Sequence, residues 1–231
     1  MPGESFADTG YLLLRRSAMK VVVMGGSGMI GSRVVRELSE RGHTVTAVAR
    51  NPSRIQALPG VTAVAADLHD AERMAAILPG ADAVVSAISP PKGQESEIIP
   101  ASEGLLRAAH EAGVRRVLIV GGAASLLVAP GVALLDTGHL PKEWMPIATA
   151  HRDLLQRLRT TDLAKDMDWT CFSPAAFIQP GERTGKFRPG KDELVADAQG
   201  QSRISAEDYA VALVNELEHP QHVGQRFTIG Y

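Results

Sequence analysis

The apolar run Val21-Val22-Val23-Met24 stops at Gly25 and opens into Gly25-Gly26-Ser27-Gly28-Met29-Ile30-Gly31. Four consecutive apolar residues ending in glycine read as a strand buried on both faces. From Met29 to Arg41 the apolar positions Ile30, Val34, Val35 and Leu38 recur with helical period, and charged residues take the opposite side. Gly42 supplies the stop. Strand, glycine turn and helix in that order make one β-α unit, and a strand with no polar face needs helices on both sides of its sheet. Gly25 permits the tight turn, Gly28 lets the backbone approach a pyrophosphate, and Gly31 lets the helix pack close to the strand. The free N–H groups at the helix start favour phosphate charge. The turn therefore predicts a dinucleotide site formed by Gly25, Ser27, Gly28, Met29 and Ile30.

The same alternation continues along the chain. Thr44–Ala49 and Val61–Ala66 read as strands, Asp70–Leu78 as a short helix, and Ala83–Ser86 as a fourth strand. Ile98–Ala112 reads as a longer helix closed by Gly113, and Val117–Val120 as a fifth strand. Ala123–Met145 has two prolines and no clean period, which predicts a long loop able to cover a site. Helical spacing returns from Ile147 to about Leu163, and Trp169–Phe172 is the next strand. Pro180–Gly190 reads as a loop. Ser205 to Asp208 reads as a cap opening the helix Ala206–Leu217, and Arg226–Ile229 is a last strand. The sum is an α/β, doubly wound Rossmann fold: one domain over residues 19–231, with a mostly parallel sheet and helices on both faces. Residues 1–18 read as an extension outside that fold: an upstream start, a tag remnant or a flexible tail. Their apolar run Tyr11–Leu14 precedes Arg15-Arg16, the reverse of a signal peptide's order.

Charge and composition remove other classes. A net charge of −2 gives no general attraction to nucleic acid or anionic membrane. No stretch approaches the ~20 apolar residues that cross a bilayer. The single cysteine, Cys171, excludes an internal disulfide framework and sits in an apolar strand, where a buried thiol is expected. The histidines lack ligand spacing, so no metal site is expected. A cytoplasmic protein with a small-molecule partner, as monomer or homodimer, is the resulting expectation.

The end of the second strand bears on which dinucleotide. Arg50 stands where NAD-binding sites commonly carry an acid, and Asn51, Ser53 and Arg54 follow. A guanidinium can pair a 2′-phosphate bidentately, whereas a carboxylate would repel it. NADP(H) is therefore favoured, with NAD(H) as the alternative. Asp67-Leu68 ends the third strand, where a side chain borders the adenine, and Asp67 equally suits a cap on the following helix. Ala87-Ile88-Ser89 ends the fourth strand, beside the path to the nicotinamide ribose.

Gly25-x-x-Gly28-x-x-Gly31 with Arg50-Asn51-Pro52 resembles the atypical short-chain dehydrogenase/reductases of the NAD(P)H-binding type. Asp168-Trp169-Thr170, Ser173-Pro174-Ala175, Pro180–Gly185 and Ser202–Ser205 look like their NADH-flavin reductase branch, and more distantly like the biliverdin-IXβ/flavin reductases. The resemblance covers nearly the whole chain from residue 20. It implies NAD(P)H-dependent reduction of a flavin or another planar conjugated acceptor.

The chain departs from the ordinary short-chain enzymes in one respect. Those use a serine after the fifth strand and a Tyr-x-x-x-Lys on the next helix. Ser125 stands near the serine position, His151 near the lysine and Ile147 near the tyrosine, and no tyrosine lies between Tyr11 and Tyr209. The alcohol-carbonyl proton relay is missing, so an epimerase or dehydratase ranks last. Flavin reduction needs less, because water can provide the proton that accompanies the hydride. Ser125 is the candidate for orienting the nicotinamide or acceptor. His151 is the candidate proton or hydrogen-bond donor, weighed against an ordinary helix histidine. The loop Glu182–Arg188 gathers Arg183, Lys186, Arg188 and Phe187, a set that suits an anionic or flat acceptor or a solvated turn. Trp169 and Phe172 belong to the core, and Ser205, Glu207 and Asp208 to capping. A non-catalytic NADP(H)-binding redox sensor fits the missing tyrosine equally well.

Overall fold

The computed structural model describes residues 18–67 and 70–231. The expected N-terminal extension, save Ala18, and Leu68 lie outside the described residues. The chain opens with β1 (Lys20–Met24), α1 (Met29–Glu40), β2 (Thr44–Ala49), β3 (Val61–Ala65), α2 (Ala71–Ile77) and β4 (Ala83–Ser86). It continues with α3 (Ile98–Glu111), β5 (Arg116–Val120), β6 (Leu127–Ala129), β7 (Val132–Ala133), α4 (Met145–Thr160) and α5 (Asp162–Lys165). The last third holds β8 (Asp168–Ser173), β9 (Phe177–Gln179), β10 (Arg188–Gly190), β11 (Arg203–Ser205), α6 (Ala206–Glu218) and β12 (Gln225–Gly230).

Eight strands form one sheet in the order β10-β12-β8-β5-β4-β1-β2-β3, all parallel except β10, which runs antiparallel to β12. The unbroken apolar strands explain the arrangement. Val21 and Val23 point to one face and pack with Val34, Val35 and Leu38 of α1 and Tyr209 and Leu213 of α6. Val22 and Met24 point to the other face and pack with Leu105 and Leu106 of α3 and Leu154 and Leu155 of α4. Each Val or Leu buried in this way stabilises the fold by about 2 kcal/mol. A strand committed on both faces cannot shift register by one residue without moving these side chains into the wrong layer. From β1 the chain winds outward to β2 and β3, then returns to β4 on the other side. The strand order therefore reverses between β1 and β4, and a crevice opens there at the carboxyl ends.

Phe172, Phe227 and Tyr209 stack at 4.0 Å between centroids, which agrees with the core assignment of Phe172. Trp169 and Cys171 are likewise buried. Burial pushes the Cys171 thiol up to about 12, so it stays protonated. Ser205 caps α6 by accepting from Asp208 N at 3.0 Å.

Three stretches differ from the sequence reading. The expected long loop 123–145 contains the β6–β7 hairpin and the single turns Leu134–Thr137 and Lys142–Trp144. Leu126 and Leu135 are buried there, and short-range backbone bonds such as Leu135 N to Ala124 O (2.8 Å) satisfy the chain locally. The expected helix through Leu163 ends at Thr160, because Thr161 is extended, and α5 then adds one turn. The expected loop 180–190 ends in β10, which adds an antiparallel edge to the sheet. Strands β9 and β11 pair only with each other and, at three residues each, are too short to carry a period.

Candidate functional site

The glycines of the first turn have no space for side chains. Gly25 has φ +77°, and a Cβ there would fall 2.3 Å from Ala87 O. A Cβ on Gly31 would fall 2.1 Å from Gly25 O, so the turn and the first coil of α1 touch backbone to backbone. Gly28 N donates to Gly25 O at 2.9 Å and Gly28 is the N-cap of α1. No side chain caps that end and no acidic residue stands in its first turn. The N–H groups that follow are directed out of the helix, with its positive pole behind them. This cradle suits the paired phosphates of a dinucleotide.

A cleft of about 460 Å³ extends from it along the carboxyl edge. Gly25, Ser27, Gly28, Met29, Arg50, Arg54, Asp67, Ala87, Ile88 and Ser89 all line this cleft. Of the twelve cofactor positions expected from sequence, Ile30 packs against the core beside it and Leu68 is outside the described residues. Arg50 and Arg54 are exposed, and no acid pairs with either among the described residues. Asn51 holds the turn between them by accepting from Ser53 N (3.2 Å) and Ser53 Oγ (2.7 Å). Asp70, rather than Asp67, caps α2, by accepting from Arg73 N at 3.0 Å. The far wall, Pro90, Pro91, Gln94, Glu97 and Ala101, was not expected. Its signal was topological: the segment after β4 must begin at the same edge as the glycine turn.

The two expected catalytic residues lie in neither cleft lining. Ser125 Oγ accepts from Arg226 Nη1 at 3.2 Å, and Arg226 Nε is held by Asp192 at 2.7 Å. His151 packs behind Gly122, where a Cβ would come within 2.8 Å of its own Cβ. Burial lowers its pKa to about 4, so the ring is neutral across the physiological range, and Nδ1 has no partner among the described residues. An imidazolium proton donor at this position is not available at neutral pH. The oxygens of Ser86 and Ser173, at the carboxyl ends of β4 and β8, are also buried without partners among the described residues.

A second cleft of about 920 Å³ lies beyond β8, among β9, β11 and the chain from Pro180 to Lys186. It was foreseen only in part. Of the basic residues expected to face an acceptor, Lys186 lines it. Arg183 instead pairs with Glu37 of α1 at 2.8 Å, and Arg188 donates to the carbonyls of Ala196 and Tyr231. Burial raises the Glu37 carboxyl, but hydrogen bonds from Arg183 and Arg41 outweigh it and hold the group below the usual range. These pairs fix the 180–186 segment against the domain and spend two of the three cations on structure. Neither remaining tyrosine replaces the missing relay. Tyr209 is fully buried with its hydroxyl on Phe172 O, and Tyr231, although it lines the second cleft, has its hydroxyl committed to Asp208 Oδ2 and Ser205 Oγ, both at 2.9 Å.

A doubly wound sheet with a glycine cradle at its reversal point defines a dinucleotide-binding protein of the oxidoreductase fold. Comparison with known proteins gives the group within that class: the chain belongs to the NAD(P)H-binding family, whose model matches residues 25–220. It is 41% identical over 214 residues to the uncharacterized protein YwnB of Bacillus subtilis, covering 91% of this chain and 98% of that one. It is similar to the solved structure of a putative epimerase from Bacteroides thetaiotaomicron (40% identity, TM-score 0.86, 93% and 98% covered). It is also similar to that of a putative NADH-flavin reductase from Streptococcus pneumoniae (33% identity, TM-score 0.82, 92% and 99% covered). Among the described residues no helix is long and apolar enough to cross a membrane.

Proposed function

We propose that the protein is an NADPH-dependent reductase of a flavin or similar planar conjugated acceptor. The observation that carries this reading is the cleft itself: a glycine cradle for phosphates, two unpaired arginines at the adenosine end, and no tyrosine along its walls. When bound, NADPH supplies a hydride. The acceptor would take that hydride with one proton from water, so the reaction asks no proton-donating side chain of the protein. The chain's own residues hold and orient. The α1 N-terminus would receive the pyrophosphate, Arg50 and Arg54 the 2′-phosphate, and the edge Ala87–Ser89 would direct the nicotinamide half toward β5 and β8. Ser125 would act only through the Arg226 guanidinium that it accepts from, and His151 as a neutral ring packed against Gly122. The flavin reductase name of the Streptococcus protein supports the same acceptor class. We place the protein in the cytoplasm, acting alone or as a homodimer on a small molecule.

Mixing protein, NADPH and FMN should bleach the nicotinamide absorbance in proportion to reduced flavin. The absence of turnover with flavins and quinones would overturn the reading. One observation favours a second reading, a redox sensor without catalysis: neither Ser125 nor His151 lines a cleft. For that reading, NADP(H) binds, nothing turns over, and the reduced and oxidised cofactors give different partner affinities.

A further inference from the structure

Aromatic residues make up only 4% of the chain, and most of those described are buried in the core or packed against it. Two are not. Trp144 is 43% exposed and Phe177 is 61% exposed, and the two rings meet edge to face at 6.5 Å. They come from different elements: Trp144 from the turn before α4, Phe177 from the start of β9. Exposed large rings that gather at one place mark a binding surface, because each costs solvation with no return in core packing.

Phe177 also lines the second cleft, together with Ala176 and Leu134. The position of that cleft follows from the strand order. β4, β5 and β8 are consecutive neighbours and end at one edge, so strand spacing puts the β8 end about 10 Å from that of β4. A dinucleotide that starts on Gly25 and passes Ala87 advances toward Ala176.

The polar lining adds a charge preference. Lys186 and Arg203 line the cleft, and neither cation is paired with an acid among the described residues. Glu182 is the one acidic side chain in the lining, against these two cations. The neighbouring arginines Arg33, Arg183 and Arg226 are all engaged with acids.

We propose that this second cleft is the acceptor site, that Phe177, backed edge to face by Trp144, is the wall on which a flat ring stacks, and that Lys186 and Arg203 hold an anionic tail. The class selected is a planar heteroaromatic bearing a phosphate. Among flavins this means FMN in preference to riboflavin. The inference rests on the reductase reading for its biological meaning, but the site is a binding claim and is tested without turnover.

The test is titration of FMN and of riboflavin into protein saturated with NADP⁺, followed by quenching of the flavin's own fluorescence. FMN should bind at least about tenfold more tightly than riboflavin. Phe177→Ala should weaken both flavins about tenfold, and Lys186→Gln with Arg203→Gln should weaken FMN alone, down to the riboflavin value. All three positions are exposed, so the variants keep the fold. Equal affinities for FMN and riboflavin, or FMN affinity unmoved in both variants, overturn the proposal. Flavin binding with this pattern but without NADPH oxidation sustains the site and removes the reductase reading. NADPH oxidation by FMN with affinity unmoved by the variants does the reverse.

Discussion

Gly122 lies flat against His151: a Cβ on the glycine would sit 2.8 Å from the histidine Cβ and 3.1 Å from its Cγ. The close approach packs the half-buried ring against the end of β5, with Nδ1 fully shielded from water. That desolvation lowers the pKa from an ordinary 6.5 to about 4. In the unfolded chain the ring takes up a proton near 6.5, and in the folded chain only near 4. Between these values the unfolded state binds more protons, so stability rises with pH and is lost on acidification. The whole window is worth about 3 kcal/mol at 1.36 kcal/mol per unit. Urea unfolding at stepped pH should show this slope, and His151→Gln should lack it. Equal slopes for the two proteins in that window would show that the ring is not desolvated.

The contact of Gly31 with Gly25 O gives a sharper test of the cradle. A methyl group 2.1 Å from a backbone oxygen cannot be absorbed by a side-chain rotation. Gly31→Ala should therefore open the turn, cost about 2 kcal/mol of stability, and weaken NADP⁺ binding by more than about tenfold in calorimetry. Gly104 on α3 is the control, because a Cβ there meets nothing within 4 Å. Gly104→Ala should leave binding unchanged and raise stability by about 0.5–1 kcal/mol. Retained NADP⁺ affinity in Gly31→Ala would dismiss the turn as the phosphate site.

The contrast between these glycines also shows how much of the molecule the chain discloses by itself. Val21–Met24 followed by Gly25, Gly28 and Gly31 is a local pattern, readable within one β-α unit even though Ala87 also presses on Gly25. The sheet, its winding and the walls from Gly25 to Ser89 were legible for that reason. The second cleft was not. Its strands β9 and β11 are three residues each, and Phe177 meets Trp144 across more than thirty residues of chain. The fate of Arg183 was equally hidden, since its partner Glu37 lies 146 positions away. Charge in a loop indicates an available cation, but only the fold shows whether an acid has already taken it.

Arg50 and Arg54 govern cofactor choice if the adenosine end lies where the cleft puts it. Arg50→Glu would place a carboxylate where a 2′-phosphate is expected and restore the acid typical of NAD sites. The affinity ratio of NADPH to NADH should fall by about a hundredfold, most of it through lost NADPH binding. Arg54→Gln should shift the ratio in the same direction by about tenfold. Titrations of both dinucleotides against both variants give the ratio directly. An unchanged ratio would assign these arginines to the solvated surface.

Arg226 and Asp192 decide what Ser125 does. The guanidinium is 2% exposed, whereas its carboxylate partner is 45% exposed and also receives Arg159 Nη2 at 3.0 Å. Removing the acid leaves a buried cation with only Ser125 Oγ and the Ser125 carbonyl to accept from it. Asp192→Ala should therefore destabilise the protein by about 2–3 kcal/mol, somewhat below the usual cost of breaking a buried pair because solvent reaches the acid. Adding Arg226→Met should recover part of that loss, since the unpaired charge is then gone. Ser125→Ala separates bracing from chemistry: if the hydroxyl serves only Arg226, the melting temperature falls by a few degrees while kcat with NADPH and FMN stays the same. A large drop in kcat at unchanged stability would return Ser125 to the reacting groups, and would require the Arg226 hydrogen bond to break when substrate binds.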